Sequence, residues 1–303
     1  MVSGRQPVQV DLARACEGAG PAQAVRLVQQ LLQAAGCPDA AFDARELYRL
    51  AVGEDARLRT VPLTPGEARS LAALAERRAG RWPLQYLAGL WPFLDFEVQV
   101  GPGVLIPRQD TEVLCEQAAA CLRGLAAPRV LDLCAGSGCV GLGVKRLCPA
   151  AQVDALEKSP EAFAYLKKNA RAALPDQPGA VRPVLGDVFG YEKSLRPASL
   201  DMVVANPPYL TGAEMAVLQP EVACEPALAL DGGPDGLAFY RHIAAAYRPA
   251  VRPGGWLALE IGWQQGGEVC ALLQKNGWTG VRCVQDLAGN DRVVLGQNPG
   301  QKT

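Results

Sequence analysis

The sequence predicts a doubly wound α/β domain on a mostly parallel sheet, preceded by a small all-helical domain and a β-hairpin linker. Three observations carry this. Up to about residue 80, apolar side chains recur at helical spacing without strand-like alternation. From 82 to 107, aromatic and β-branched residues take over between prolines and glycines. From Arg129 onward, short apolar runs alternate with helical patterns, the mark of right-handed βαβ units whose crossovers cover both faces of a parallel sheet. The expected division is 1–81, 82–107 and 108–303, and 303 residues suffice for two cores.

In order, the first helical pattern opens at Pro21, runs through Ala24, Val28, Leu31 and Leu32, and stops at Gly36, which tolerates the left-handed conformation past a helix end. Asp43 with Glu46 opens a second helix that ends at Gly53. Thr64 and Glu67 form a capping box, with Pro65 at the first helical position, for a third that ends at Gly80. Trp91, Phe93, Phe96, Val98 and Val100, interrupted by Pro92, Pro102 and the Gly101/Gly103 pair, read as the hairpin. Strands are expected at Val130–Leu133, Val153–Leu156, Val181–Leu185, Met202–Ala205 and, after a longer helix, Trp256–Ile261. Ligands of such sheets bind beyond the carboxyl ends of the strands, so the residues after each strand are the candidate site.

The formal charge is −1, from 30 Lys+Arg against 31 Asp+Glu, so no global positive field favours nucleic acid. No apolar run reaches the roughly 20 residues of a bilayer span, and residues 1–20 carry no signal-type run. A soluble cytoplasmic monomer without nucleic-acid or membrane partners is expected. No Cys-x-x-Cys pair occurs, and Cys115, Cys121, Cys148 and Cys270 fall in apolar periodic segments, as small buried hydrophobes in a reducing compartment. With His242 the one histidine, on a helical pattern where a structural role suits it, no metal site is expected.

The strand at Val130 runs into Asp132-Leu133-Cys134-Ala135-Gly136-Ser137-Gly138, and Val140, Leu142, Val144 and Leu147 then restore helical periodicity. Gly136 and Gly138 lack a Cβ, which permits a tight turn and lets backbone amides touch a ligand. Glu157, after the next strand, can accept both hydroxyl hydrogens of a ribose. Asp187 and Val188, after the third, are placed for an adenine edge, although Asp187 would serve equally as a helix cap. These residues describe a nucleoside site without settling the nucleoside. Gly136–Gly141 also fits Gly-x-Gly-x-x-Gly, with Glu157 about twenty residues on as in dinucleotide enzymes, while Asp132 just before the loop and the fingerprint's late place in the chain count against that reading.

Asn206-Pro207-Pro208-Tyr209, directly after the apolar run ending at Ala205, is the most specific motif in the chain. Neither proline donates a backbone hydrogen bond and both have φ fixed near −65°, so the segment presents carbonyl oxygens in a rigid arrangement. The Asn206 side-chain oxygen and the Pro207 carbonyl can accept the two hydrogens of a planar –NH₂ group, with the Tyr209 ring stacked on its plane. An amide nitrogen is a poor nucleophile because its lone pair is delocalised; two fixed acceptors orient it and stabilise its developing positive charge. Such a cradle fits methyl transfer from a sulfonium, and a nicotinamide enzyme would leave it unexplained.

With these residues in place, the chain resembles the release factor glutamine methyltransferases, the PrmC/HemK family, over nearly its whole length. The resemblance is carried by Pro83–Gly89, Leu105–Arg108 with Asp110–Glu112, Asp132–Gly138, Asn206–Tyr209, Glu225-Pro226 with Ala229-Leu230, and Asn290–Arg292. It implies a Rossmann-like class I methyltransferase domain using S-adenosylmethionine, contacted by Cys134, Ala135, Gly136, Ser137, Gly138, Glu157, Val188 and Asn206. It implies too that Asn206–Tyr209 hold the acceptor glutamine of the Gly-Gly-Gln loop of class 1 peptide chain release factors, helped by the helical N-terminal domain. Two departures stand out. Many members have glycine at Cys134 and aspartate at Glu157; a cysteine with ordinary φ and a glutamate spanning the diol would alter affinity and leave the cofactor the same. Arg108 is read two ways, as a partner for an acid of the cofactor loop or substrate and as a surface arginine, and the glycine-rich stretch Glu221–Gly236, too long and flexible for a plain connector, as a substrate-facing loop or a capped surface turn. The rival readings are a glutamine methyltransferase acting on a ribosomal protein, an adenine-amine DNA methyltransferase, a nicotinamide oxidoreductase and a non-catalytic S-adenosylmethionine-binding protein.

Overall fold

A computed structural model describes residues 11–177, 179 and 181–299; residues 1–10 and 300–303, which the sequence assigns to the outer domains, lie outside the described residues. The chain divides into two compact units. One extends to Gly89 and takes in Pro220–Cys224, and the other holds Leu90–Gln219 and the chain from Glu225 on.

The first unit is helical: α1 (Leu12–Cys16), α2 (Pro21–Ala34), α3 (Ala40–Val52), α4 (Pro65–Ala79) and α5 (Leu84–Ala88). Its core includes Leu32, Leu47, Tyr48 and Leu71, all fully buried. Helix α4 starts on the expected capping box, with both reciprocal bonds made. Helix α3 begins at Ala40, ahead of the expected start at Asp43. Asp43 is turned inward, where its carboxylate accepts from Arg78 Nε at 2.7 Å and both side chains are buried. Glu221, from the segment that returns to this unit, takes Arg78 Nη1 at 2.9 Å and Arg81 Nη2 at 2.6 Å. The two guanidinium partners hold its carboxyl at about 2, against the burial that would raise it. Within the stretch read as a hairpin linker, 84–88 are helical, because Pro83 starts a turn that Gly89 closes with φ 74°.

The second unit opens with the hairpin β1 (Leu90–Phe93) and β2 (Phe96–Gln99), paired antiparallel. Phe93, Phe96, Val98 and Val100 are buried in one apolar cluster with Leu114, Leu142 and Leu166. The hairpin is therefore integral to this unit. There follow α6 (Thr111–Cys121), β3 (Arg129–Leu133), α7 (Cys139–Leu147), β4 (Gln152–Glu157), α8 (Pro160–Ala172), β5 (Val181–Leu185), the kinked turn α9 (Val188–Tyr191) and β6 (Leu200–Ala205). The chain ends with α10 (Gly212–Met215), α11 (Ala238–Ala246), β7 (Val251–Glu260), α12 (Gly266–Lys275), β8 (Thr279–Gln285) and β9 (Asp291–Gln297).

The sheet order is β5-β4-β3-β6-β7-β9-β8. Strands β3 to β7 pair parallel, and β9 joins β7 and β8 antiparallel. Four of the parallel strands fall within two residues of where the apolar runs place them, β7 begins at Val251, ahead of the expected Trp256, and β8 and β9 add to the expected strands. Strand order reverses between β3 and β6, the switch point at which such sheets bind ligands. Cys115 is buried as expected, whereas Cys121, Cys148 and Cys270 are only half-buried. Among the described residues, no helix is long and apolar enough to cross a membrane, and no group of three or more His, Cys, Asp or Glu side chains could hold a metal ion.

Candidate active site

A cleft opens beyond the carboxyl ends of β3, β4, β5 and β6. Of the residues singled out in the sequence, Cys134, Ala135, Gly136, Ser137, Glu157, Asp187, Val188, Asn206 and Pro208 line it. Gly138, Pro207 and Tyr209 stand outside the lining. Gly138 has φ +86°, and a Cβ there would meet Leu166 Cδ1 at 2.5 Å, so its glycine is required by the turn onto α7 and by packing.

Glu157 is almost wholly buried yet lines the cleft. Its Oε2 accepts from Gly136 N at 2.8 Å and its Oε1 from Ser159 N at 2.7 Å. Each oxygen is thus fixed by one backbone amide and keeps lone-pair capacity for a ligand hydroxyl. Asn169 of α8, unmarked in the sequence reading, clamps the loop from behind: its amide donates to Ser137 O at 2.9 Å and Gln99 O at 3.0 Å. Asp187 accepts from Phe189 N at 2.9 Å and pairs with Lys158 at 2.8 Å, so its cap role and its place in the cleft coexist. The Val188 carbonyl accepts from the Tyr247 hydroxyl at 2.8 Å and contacts His242 Nε2 at 3.0 Å; the histidine is a structural support for the wall.

One expectation about the loop is overturned. Cys134 does not have an ordinary φ: at +58° it is left-handed, a conformation that costs an L-residue about 1–2 kcal/mol and glycine nothing. The chain must turn sharply where β3 ends, and the Ala135 N bond to Leu156 O at 2.9 Å pins the turn. Burial pushes the Cys134 thiol well above its ordinary value, which keeps it an inert thiol. Asp132, beneath the loop, is outside the cleft lining. Fully buried, it accepts from Gly141 N at 2.9 Å through Oδ2, while Oδ1 has no partner and desolvation lifts the carboxyl to about 8. It fastens α7 to β3.

Asn206 leaves β6 with its Nδ2 donating to Thr111 Oγ1 at 3.3 Å. The rest of the tetrapeptide is braced by the glycine-rich stretch, which is no flexible loop. Leu210 N donates to Leu230 O at 2.9 Å and Gly232 N to Leu210 O at 2.8 Å. A Cβ on Gly232 would lie 2.7 Å from Tyr209 Cα and 2.9 Å from Pro208 O, and one on Gly236 would lie 2.3 Å from Tyr209 O. Gln265 Nε2 donates to Tyr209 O at 3.1 Å and to Gly236 O at 3.4 Å, tying the two together. The Tyr209 ring is half-buried against the second apolar cluster, and burial raises its hydroxyl to about 12, so it stays neutral.

The stretch Glu221–Gly236 therefore splits into three tasks. Glu221 belongs to the helical unit, Pro226, Leu228 and Ala229 line the cleft, and 231–236 brace the tetrapeptide. Arg108 lines the cleft but does not pair with the cofactor loop; its partner is the buried Glu225, which also accepts from Ile106 N at 2.9 Å. Arg292 bonds Asp286 at 3.0 Å and Asp110 at 3.2 Å. The scattered motifs thus meet as ion pairs around the tetrapeptide. The sequence reading also missed Phe189 and Phe239, cleft residues whose rings lie 5.0 Å apart. Phe189 directly follows the Asp187-Val188 pair and was within reach of the same reasoning, whereas nothing local marks Phe239.

This fold, with its cleft at the switch point of a mostly parallel sheet, is that of a class I methyltransferase. A family model described as "Methyltransferase small domain" matches residues 110–230, and one described as "PrmC N-terminal domain" matches residues 23–89. A relative from Geobacter sulfurreducens called "Release factor glutamine methyltransferase" is 42% identical over 240 residues, covering 78% of this chain and 80% of its own. Relatives of the same name from Caulobacter vibrioides and Moorella thermoacetica are 39% identical over 274 residues (88% and 93% covered) and 40% over 234 (77% and 81%). The chain belongs to the release factor glutamine methyltransferase family.

Proposed function

We propose that this protein transfers a methyl group from S-adenosylmethionine to the side-chain amide nitrogen of the glutamine in the Gly-Gly-Gln motif of class 1 peptide chain release factors. The observation that carries this reading is that Asn206 and Glu157 line one cleft, with the Asn206 amide nitrogen already engaged by Thr111, so that its oxygen is the end left to accept. The cleft fits the cofactor: Glu157 has both oxygens fixed and lone pairs to spare, and Gly136, at φ +56°, has open space where a Cβ would stand.

S-adenosylmethionine, when bound, supplies a methyl group on a sulfonium centre. Glu157 would hold the ribose hydroxyls, Asp187 and Val188 the adenine edge, and Cys134–Gly138 the rest of the cofactor. Asn206 Oδ1 and the Pro207 carbonyl accept the two hydrogens of the glutamine amide, which orients its nitrogen and stabilises positive charge as it develops. Pro207 and Pro208 keep that pair of acceptors rigid, and the neutral Tyr209 ring lies against the amide plane. The helical unit with Glu221 is the part proposed to grip the release factor.

The test is incubation with methyl-labelled S-adenosylmethionine and a recombinant release factor, with mass spectrometry of the Gly-Gly-Gln peptide. One added methyl on that glutamine is expected. Asn206→Ala should leave cofactor affinity within a few-fold and lower turnover by about 10²–10³, the usual cost of one lost transition-state hydrogen bond. Parental turnover in that variant would refute the cradle. Label on a ribosomal protein or DNA instead would redirect the substrate reading.

A further inference from the structure

We propose that Gln265 is a positioning residue that fixes the direction of the Pro207 carbonyl, the second acceptor of the cradle. This rests on the reading of Asn206–Tyr209 as the site that holds the acceptor amide. An acceptor contributes to the transition state only if it already points at the place where charge develops. The Pro207 carbonyl is main chain, so whatever holds the backbone of the tetrapeptide decides where that oxygen points.

Gln265 holds that backbone through a side-chain amide with one consistent orientation. Its Oε1 accepts from Gly262 N at 3.0 Å, and its Nε2 donates to Tyr209 O at 3.1 Å and to Gly236 O at 3.4 Å. All three partners are main-chain groups, and a backbone N–H can only donate while a carbonyl can only accept. The flipped amide would set –NH₂ against an N–H and oxygen against two carbonyls, so one orientation alone satisfies every bond. Tyr240 of α11, fully buried, stands behind the oxygen: its hydroxyl lies 3.4 Å from Oε1 and donates to Glu260 O at 3.0 Å.

The slot around the amide is shaped for it. A Cβ on Gly262 would lie 2.9 Å from Gln265 Oε1 and one on Gly236 2.7 Å from Nε2, so glycine on both sides leaves the room that the side chain fills. Two anchors then bound the tetrapeptide. Asn206 is held at one end, where β6 stops at Ala205 and Nδ2 meets Thr111 Oγ1 at 3.3 Å, and Tyr209 O is held at the other by Gln265. Between them Pro207 and Pro208 have φ locked near −65°, so few torsions remain free and a shift of Tyr209 O carries the Pro207 carbonyl with it. Gln265 is outside the lining of the cleft, so it acts through the tetrapeptide.

Two substitutions in the full chain separate the two ends of the amide. Gln265→Glu keeps an acceptor for Gly262 and, at about pH 8.5 where a glutamate is ionised, sets an oxygen against the Tyr209 and Gly236 carbonyls. Gln265→Lys keeps a donor for those carbonyls and gives up the Gly262 bond. Gln265→Glu should lower turnover on the release factor about 100-fold, the cost of misplacing a positioning element by about 1 Å, with S-adenosylmethionine affinity and release-factor KM within about threefold. Gln265→Lys should stay within about tenfold of the parent, because the hold on Tyr209 O is kept. A residue that merely stapled the Gly262 turn would give the opposite order; that order, or parental turnover in Gln265→Glu, would overturn the proposal. If Gln265→Glu does not fold, Gln265→Leu, which loses both bonds without adding charge, takes its place with the same expected fall. Independently of activity, the Tyr209 carbonyl carbon shift should move in Gln265→Glu and hold in Gln265→Lys, and an unmoved shift in both would overturn the hold. A parent that leaves the release factor unmethylated, yet shows that shift difference, would refute the function reading and leave the positioning intact.

Discussion

Gly232→Ala probes the brace behind the tetrapeptide. The added Cβ would lie 2.7 Å from Tyr209 Cα, 2.9 Å from Pro208 O and 2.9 Å from Gly236 Cα, against an ordinary contact limit of 3.4 Å. All three are backbone atoms, so no side chain can rotate aside, and Gly232 is outside the left-handed region, so the methyl adds volume without backbone strain. Relief needs a shift of roughly 0.5–0.7 Å, shared between the loop and Pro208-Tyr209. Misplacement of about 1 Å in a positioning element costs about 100-fold, so turnover should fall about 10- to 100-fold. Overpacking should cost about 1–3 kcal/mol of stability. Cofactor affinity should hold, because Glu157 and the glycine loop do not touch this brace. The assay is single-turnover methylation at saturating S-adenosylmethionine, with cofactor titration and thermal melting alongside. A variant with parental turnover and stability would refute the claim that 231–236 hold the tetrapeptide in place.

Two further perturbations follow from the same geometry. The Asp132 carboxyl is raised from 3.8 to about 8, so the folded protein keeps a proton that the unfolded chain gives up from about pH 4; stability is full below that, falls as pH rises, and levels off above about 8. At about 1.4 kcal/mol per pH unit, easing off as the group reaches half-titration at about 8, the loss from pH 6 to 8 is about 2 kcal/mol; Asp132→Asn should flatten it in melts across that range, and an unchanged slope would refute it. Glu157→Gln replaces one fixed acceptor with a donor, so S-adenosylmethionine affinity by calorimetry should weaken about tenfold or more while turnover at saturation changes little; unaltered affinity would remove Glu157 from the cofactor site.

The parallel strands, the Thr64–Glu67 cap, the glycine loop and the tetrapeptide were legible in the sequence because each leaves its mark within a few residues. Period-two and helical patterns, a capping box, and prolines that fix φ are local facts. Strand β8 is half-exposed and interrupted by Gly280 and Arg282, and β9, with only the short apolar run Val293–Leu295, pairs antiparallel with β7, so neither follows from the βαβ rule.

The sequence by itself determined which groups are present: the Asn206–Tyr209 tetrapeptide, a glycine turn and an acid at the end of the second parallel strand, each at the end of an apolar run. Tertiary structure alone decided how those groups are held. It placed Cys134 in the left-handed region, buried Asp132 under Gly141, joined Arg108 to Glu225 across 117 positions, and turned the glycine-rich stretch into a brace for Tyr209. It also brought Thr111 to Asn206 across 95 positions. A hydrogen bond or ion pair between residues so far apart adds nothing to local periodicity; its partners are chosen by the sheet order and helix packing that bring them within 3 or 4 Å.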